Sequence, residues 1–289
     1  MSNGQTIHFY PTNKIRIPID KNNIIKNKVV NPKYYDSIVP YIDLDIKGSA
    51  MYKNRLMAFD VLANNDWKRP IYFTGGSFGD DDYLWMKDYL QLDGLVYKLV
   101  PVKTPIDKEN PYNDMGQIDS EKMYDLVMNW KWGNGDLTTI YHDPETRKNS
   151  ISYRTNMARL MEQLINEGKT GKAKKIIDLA LTKMPMDYYG YYTMVEPFAS
   201  GYYKLGEKAK ARELLERLMT KYKQSLTYYS NIEPSIQNGI ASDIITDIER
   251  YRSLLIVMKD RGDMVFYNKN KPVFNSFVQR FSRFGRDLE

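Results

Sequence analysis

The chain has 289 residues, with 42 Lys and Arg against 36 Asp and Glu for a net charge of +6, and no cysteine. This length fits about two domains, and the lack of cysteine excludes disulfides, thiolate nucleophiles and cysteine-based zinc sites. Hydrophobic residues at 42% and charged residues at 27% mark a folded chain, while the longest apolar runs, such as Leu254 to Met258, fall far short of the ~18 residues of a membrane span.

The N-terminus shows no basic region followed by an apolar run, so no signal peptide is expected. Lys14 to Ile19 and Tyr41 to Ile46 alternate as strands do. Met51 to Ala63 predicts a helix with Leu56, Phe59, Val61 and Leu62 on its apolar side. Trp67, Arg69 and Pro70 form a structural motif between this helix and a short buried strand over Pro70 to Thr74. Trp67 is expected to plug the helix–sheet joint, and Arg69 to bridge to Asp43, Asp45 or Asp60.

Gly75 and Gly76 end that strand. The loop Gly75 to Gly79 lies where a phosphate could meet a helix N-terminus. Its spacing is neither of the nucleotide-binding glycine patterns, and three aspartates follow, so it reads as a turn. Asp80, Asp81 and Asp82 read as the cap of a helix running to about Leu90, since calcium-loop spacing is absent. A strand over Leu95 to Val102 follows, then a polar loop, then a helix from Asp119 or Ser120 to about Trp130. A domain boundary is expected near residue 150. The only histidines are His8 and His142, and no G-x-S-x-G elbow occurs, so no catalytic residue, metal ligand or cofactor site is assigned.

The second half repeats itself. Gly168 and Gly206, 38 positions apart, are each followed five residues on by a small residue, Ala173 and Ala211. Ile176, Ile177, Ala180, Leu181 and Met184 after the first match Leu214, Leu215, Leu218, Met219 and Tyr222 after the second, and Leu160 and Leu164 match Phe198 and Tyr202. The small residue lets two helices approach, the glycine reverses the chain, and the aliphatic stripe buries against the partner helix. The pattern resembles the tetratricopeptide repeat with a lengthened period. A degenerate third pair carries Ile244, Ile248, Tyr251, Leu255 and Met258 on one helix, with Pro272 at the start of a capping helix. The fold class is therefore α+β or α/β: a small mixed domain over 1–150 followed by an all-α stack of helical hairpins over 151–289.

Charge follows this division. Residues 1–150 hold 19 Lys and Arg against 20 Asp and Glu, a net of −1, and residues 151–289 hold 23 against 16, a net of +7. The basic half permits an acidic partner or a lipid surface, but no basic run or nucleic-acid motif occurs, so nucleic acid is not expected. Tyrosines are abundant, 24 in all. Tyr188, Tyr189, Tyr191, Tyr192, Tyr202 and Tyr203 are the candidate binding surface, with packing between repeat helices as the competing and favoured role for most of them.

Four segments in order, Asn64 to Phe73, Tyr89 to Pro101, Met128 to Gly133 and Arg154 to Leu160, resemble the C-terminal part of a Bacteroidetes family of multi-pass membrane proteins related to protein O-mannosyltransferase-like glycosyltransferases. The resemblance covers about residues 10–185. It implies a parent with a bundle of membrane helices, where an acidic loop near the first helix and a lipid-linked sugar donor would carry any transfer chemistry. This chain would then be a non-catalytic accessory domain at the periplasmic face of the inner membrane. Its partners would be the parent's membrane domain and a protein or peptide acceptor, with a glycan also possible. The alternatives are a free-standing soluble peptide- or glycan-binding repeat module, and a hydrolase or transferase whose site is spread through the α/β half.

Overall fold

The computed structural model describes residues 12–46, 53–74, 84–104 and 115–284. The chain forms two compact units, Met1–Leu126 and Val127–Glu289. The expected boundary near residue 150 lies inside the long helix of the second unit, because the irregular stretch before that helix folds onto it.

In the first unit, β1 (Lys14–Pro18) leads into α1 (Lys21–Lys26), which Asp20 caps by accepting from the Asn22 and Asn23 amides. A 3-10 turn over Pro32–Ser37 precedes β2 (Tyr41–Asp45), which pairs antiparallel with β1, Ile17 opposite Ile42. Next come α2 (Lys53–Asn65) and β3 (Tyr72–Thr74). A 3-10 turn over Leu84–Tyr89 follows where a helix to Leu90 was predicted; residues 75–83, with the glycine loop and the three aspartates, lie outside the described residues. β4 (Leu90–Asp93) and β5 (Val96–Leu99) form a hairpin, and the sheet order is β3-β5-β4, antiparallel throughout. These antiparallel ladders make the unit α+β. β3 is an edge strand in which only Phe73 is half-buried, so the expected burial of Pro70 to Thr74 does not hold. α3 (Ser120–Met128) follows.

Two apolar clusters fill this unit. One joins Ile42 and Leu44 of β2 to Leu62, Met86, Leu90 and Leu99; the other joins Ile24, Val29, Val30, Val100 and Val102. Trp67 packs against both, which is the plug its sequence position predicted. To reach it, Asp66 and Trp67 take left-handed backbone angles, φ 49° and 57°, a rare and strained choice for an indole-bearing residue. The apolar side of α2 is narrower than predicted. Leu62 is buried, but Leu56 and Val61 are 52% and 54% exposed, since the small sheets cover only a thin stripe of the helix.

The second unit is a stack of helical hairpins: α4 (Pro144–Asn166) on α5 (Thr170–Lys183), α7 (Glu196–Lys204) on α8 (Lys208–Ser230), and α10 (Ala241–Asp260) on α11 (Met264–Arg280), with α6 (Met186–Tyr189) and α9 (Pro234–Gly239) as short connectors. Asp143 caps α4, and Pro144 occupies its first turn. The stripes read from the sequence are buried, including Leu160, Leu164, Ala173, Ile176, Phe198, Tyr202, Ala211, Leu214, Ile248 and Tyr251. Pro272 sits inside α11 rather than at its start, on the exposed side. There its ring and missing amide interrupt only a solvent-facing bond.

All three hairpins turn in the same way. At Gly168, Gly206 and Gly262 the backbone is left-handed, φ 73°, 77° and 69°. The glycine amide donates to the carbonyl three residues back, and the next amide donates five back: Lys169 to Leu164, Glu207 to Tyr202 and Asp263 to Met258. This double closure satisfies carbonyls that the ending helix would otherwise leave unpaired. Gly262 thus marks a third turn of the same design, although Tyr267 stands where the others have alanine. A Cβ at Gly206 meets nothing within 4 Å, so the backbone angle alone opposes a side chain there. Gly206→Ala should destabilise the unit by about 1–2 kcal/mol. Gly171→Ala, in the first turn of α5 with an ordinary backbone and equally open space, should stabilise it by about 0.5–1 kcal/mol. Urea unfolding of both variants checks the opposite signs.

Candidate functional site

The six tyrosines do not form one surface; they fall into separate local arrangements. Tyr188 and Tyr189, on α6, meet His142 in a ring cluster. The Tyr188 hydroxyl donates to the Ile140 carbonyl and accepts from the His142 amide at 3.0 Å, and the Tyr189 hydroxyl donates to the Gly135 carbonyl. Both therefore fasten the irregular stretch 129–143, with help from the Lys183–Asp136 ion pair. Tyr191 takes a left-handed backbone angle, φ 48°, after Gly190, and the Tyr192 ring packs edge-on against Tyr222.

Tyr202 and Tyr203 are neighbours on α7 that serve opposite neighbours. The Tyr202 hydroxyl donates 2.8 Å to Asp178 of α5, in the preceding hairpin. The Tyr203 hydroxyl donates 2.8 Å to Asp263, at the turn of the following one. Burial, followed by the bonded aspartate, raises the pKa of both hydroxyls. Asp263 is 1% exposed and also accepts from Arg212 through both oxygens, at 2.6 and 2.7 Å, with Lys208 at 3.2 Å. Its pKa is held well below the usual carboxylate range, chiefly by Arg212. Through this carboxylate the Gly262 turn is tied to residues on either side of the Gly206 turn.

Arg154, part of a quoted segment but given no role, is fully buried in α4. Its guanidinium donates to the carbonyls of Met184 at 2.7 Å and Gly190 at 2.6 Å, and lies 6.0 Å over the Tyr189 ring. Burial pushes its pKa down to about 10, which leaves it charged at neutral pH. It holds the connector between the first two hairpins at the Met184 and Gly190 carbonyls, on either side of α6.

The first unit carries a cluster that sequence reasoning missed, because its members look like ordinary strand residues. Tyr72, Lys98 and Gln91 stand side by side across β3, β5 and β4, and Asp93 follows Gln91 on the same face. Asp93 accepts from Gln91 at 2.7 Å, from the Tyr72 hydroxyl at 3.3 Å, and from Lys122 of α3. Lys98, 6% exposed, donates to the Val29 carbonyl, and burial with the nearby Lys122 charge pushes its pKa down to about 8. The Gln91 side-chain oxygen is buried without a partner. The opposite face of the sheet is apolar, with Leu90 and Leu99 in the core. Apart from the Gln91 oxygen, this polar network is satisfied within the fold, by its own members, Lys122 and the Val29 carbonyl, rather than laid open as a site.

The Trp67 segment has a local role. The Asn65 side chain donates to the Arg69 carbonyl at 2.7 Å and accepts from its amide, so the strained corner is clasped before Pro70 starts the run to β3. Asp43, one acidic partner expected for Arg69, is instead bound by both nitrogens of Arg16. Among the described residues no three His, Asp or Glu side chains come together to hold a metal.

Residues 1–122 match the family model described as TMEM260-associated domain 2. The first unit is thus similar to a domain of TMEM260-like proteins. The match ends inside α3, so the Met128 to Gly133 and Arg154 to Leu160 segments of the resemblance lie beyond it. No curated protein and no solved structure matches the chain. Among the described residues no helix is long and apolar enough to cross a membrane.

Two measurements follow from these networks. Because the folded pKa of Asp263 is depressed, its contribution is complete above the unfolded carboxylate value near 3.9 and is lost as pH falls through the folded one. Asp263→Asn should therefore cost about 2–3 kcal/mol at pH 7, with the deficit shrinking below about pH 4 in urea titrations. In Lys98 it is the neutral form that the fold favours. Its folded pKa of about 8 lies below its ordinary 10.5, so the unfolded chain binds more protons between them and stability rises with pH across that window. Lys98→Met should flatten that rise in denaturation curves taken from pH 7.5 to 10.5.

Proposed function

We propose that this chain is an accessory, polypeptide-binding part of a membrane-embedded glycosyltransferase-like protein, lying on the extracytoplasmic side. The single observation that carries this reading is the match of the first unit to the TMEM260-associated domain, TMEM260 being an O-mannosyltransferase-like protein. The ordered resemblance of residues 10–185 to multi-pass membrane proteins supports it. The architecture of the second unit agrees. Helical hairpins stacked in one direction present long surfaces suited to extended partners, in the manner of tetratricopeptide repeats. The interior tyrosines and Asp263 set the spacing of those hairpins, and the partner is read by the exposed helix faces between them.

The role is non-catalytic. The buried Asp93 is bound by Gln91, Tyr72 and Lys122 and the buried Lys98 by the Val29 carbonyl, and Arg154 and Asp263 serve as structural ties. Transfer chemistry then belongs to the membrane part of the parent.

The test is topological. With the native gene expressed in full and tagged after Glu289, protease added to intact spheroplasts should remove the tag and digest this domain. Protection in spheroplasts with digestion only after lysis places the domain in the cytoplasm and overturns the reading. A native gene product that fractionates without membranes favours the free-standing repeat module instead.

A further inference from the structure

In the first unit, β1 has one used edge and one free edge. Ile19 donates its amide to the Pro40 carbonyl and Asn13 accepts from the Ile46 amide. With the register of Ile15 opposite Leu44 and Ile17 opposite Ile42, the odd-numbered residues direct their amides and carbonyls toward β2. Lys14, Arg16 and Pro18 therefore direct theirs outward. The Lys14 amide bends back to the Thr12 hydroxyl, and Pro18 has no amide hydrogen. The outward edge thus offers carbonyls at 14, 16 and 18 and one free donor, the Arg16 amide. Among the described residues no strand pairs with it. A proline at an outward position is what an edge strand tolerates.

A cleft of about 660 Å³ runs along this edge. Six consecutive residues, Ile15 to Asp20, line one wall. Four of them, Ile15 to Pro18, belong to β1, and since alternate side chains of a strand point to opposite faces, a cleft lined by all four reaches the strand's edge. Phe59, Leu62 and Ala63 of α2, with Trp67, form the other wall.

We propose that this cleft takes an extended polypeptide segment of a partner as a third strand beside β1. The incoming strand must donate more hydrogen bonds than it accepts, so its centre is free of proline. On one face its side chains lie with Ile15 and Ile17 against Phe59 and Leu62, which calls for apolar residues. On the other face they lie beside exposed Lys14 and beside Arg16, whose guanidinium Asp43 already binds, so small polar residues fit there, with an acidic one only next to Lys14. Affinity would come from main-chain bonds and selectivity from the alternating side chains. A second copy of this chain fits poorly. Symmetric antiparallel pairing of two β1 strands sets Arg16 opposite Arg16 and Lys14 opposite a proline that cannot donate. The inference goes beyond the membrane reading and does not require it, since it places a polypeptide site in the unit that lacks the helical hairpins.

The experiment selects random dodecapeptides displayed on phage against the full chain and measures their affinity by calorimetry. Enriched peptides should alternate apolar with acidic or small polar residues. N-methylation of a central amide facing β1 should weaken binding about tenfold, the worth of one hydrogen bond, while methylation of the adjacent amide should not. Arg16→Pro removes the one outward donor, and Ala63→Trp fills the cleft from an exposed helix position; each should weaken binding at least as much, with melting curves showing both variants folded. The proposal is overturned if no alternating peptide is enriched, or if enriched peptides bind both variants as they bind the native chain. It is also overturned if the chain sediments as a dimer that Arg16→Pro dissolves, which would make the occupant a second copy. The spheroplast result bears on none of these outcomes.

Discussion

A helix that ends within a stack of helices must find partners for its last carbonyls, because water cannot reach them all. That requirement shapes the second unit. Within each hairpin a left-handed glycine lets two amides turn back and close the helix, at Gly168, Gly206 and Gly262 alike. Between the first two hairpins the chain takes an irregular path through α6, and the buried guanidinium of Arg154 does the same work from a distance by donating to Met184 and Gly190. With the ends satisfied, the aliphatic stripes can approach closely. Gly201 shows how close: a Cβ there would lie 2.3 Å from the Met161 sulfur.

The first unit meets a different constraint. Its sheets are too small to hide a full helix face or to be apolar on both sides. One response is the double packing of Trp67, bought with two strained backbone residues and clasped by Asn65. The other is the polar row Tyr72–Lys98–Gln91 with Asp93, in which the buried lysine is held by the Val29 carbonyl and the buried carboxylate by Gln91, Tyr72 and Lys122. Such a network contributes less to stability than an apolar core of equal size, but a one-residue slip would separate Tyr72 from Asp93 and turn Lys98 to the apolar face, so it helps to fix the strand register.

Much of this was legible in the sequence. Strand alternation at Lys14 to Ile19 and Tyr41 to Ile46, the 38-residue repeat and the stripe from Ile244 to Met258 each report burial, which is a period-based signal. Long-range pairing left no such trace. The tyrosines of α6 and α7 look like a binding surface in sequence because nothing local says that their hydroxyls reach residues 24 to 60 positions away. The polar face of β4 and β5 was hidden in the same way, and so was the free edge of β1, since an edge is a property of the sheet. Gly262 could have been found: it follows the buried helix stripe as Gly168 and Gly206 do, but the 56-residue interval conceals the match.

The ties between hairpins differ in chemistry, and so in their response to acid. Arg154 rests on carbonyls, which do not titrate. Glu196, half-buried where α7 meets α8 and α10, accepts from Tyr222 and Ser253, and desolvation raises its pKa, so acid neutralises a charge that its surroundings disfavour. Asp263 combines burial with a strongly depressed pKa, and its protonation withdraws the charge that holds Arg212, Lys208 and Tyr203 at the last turn. Acid therefore reaches the carboxylate ties on both sides of α7, Asp178 toward the preceding hairpin and Asp263 toward the following one, while the carbonyls that hold Arg154 are indifferent to it.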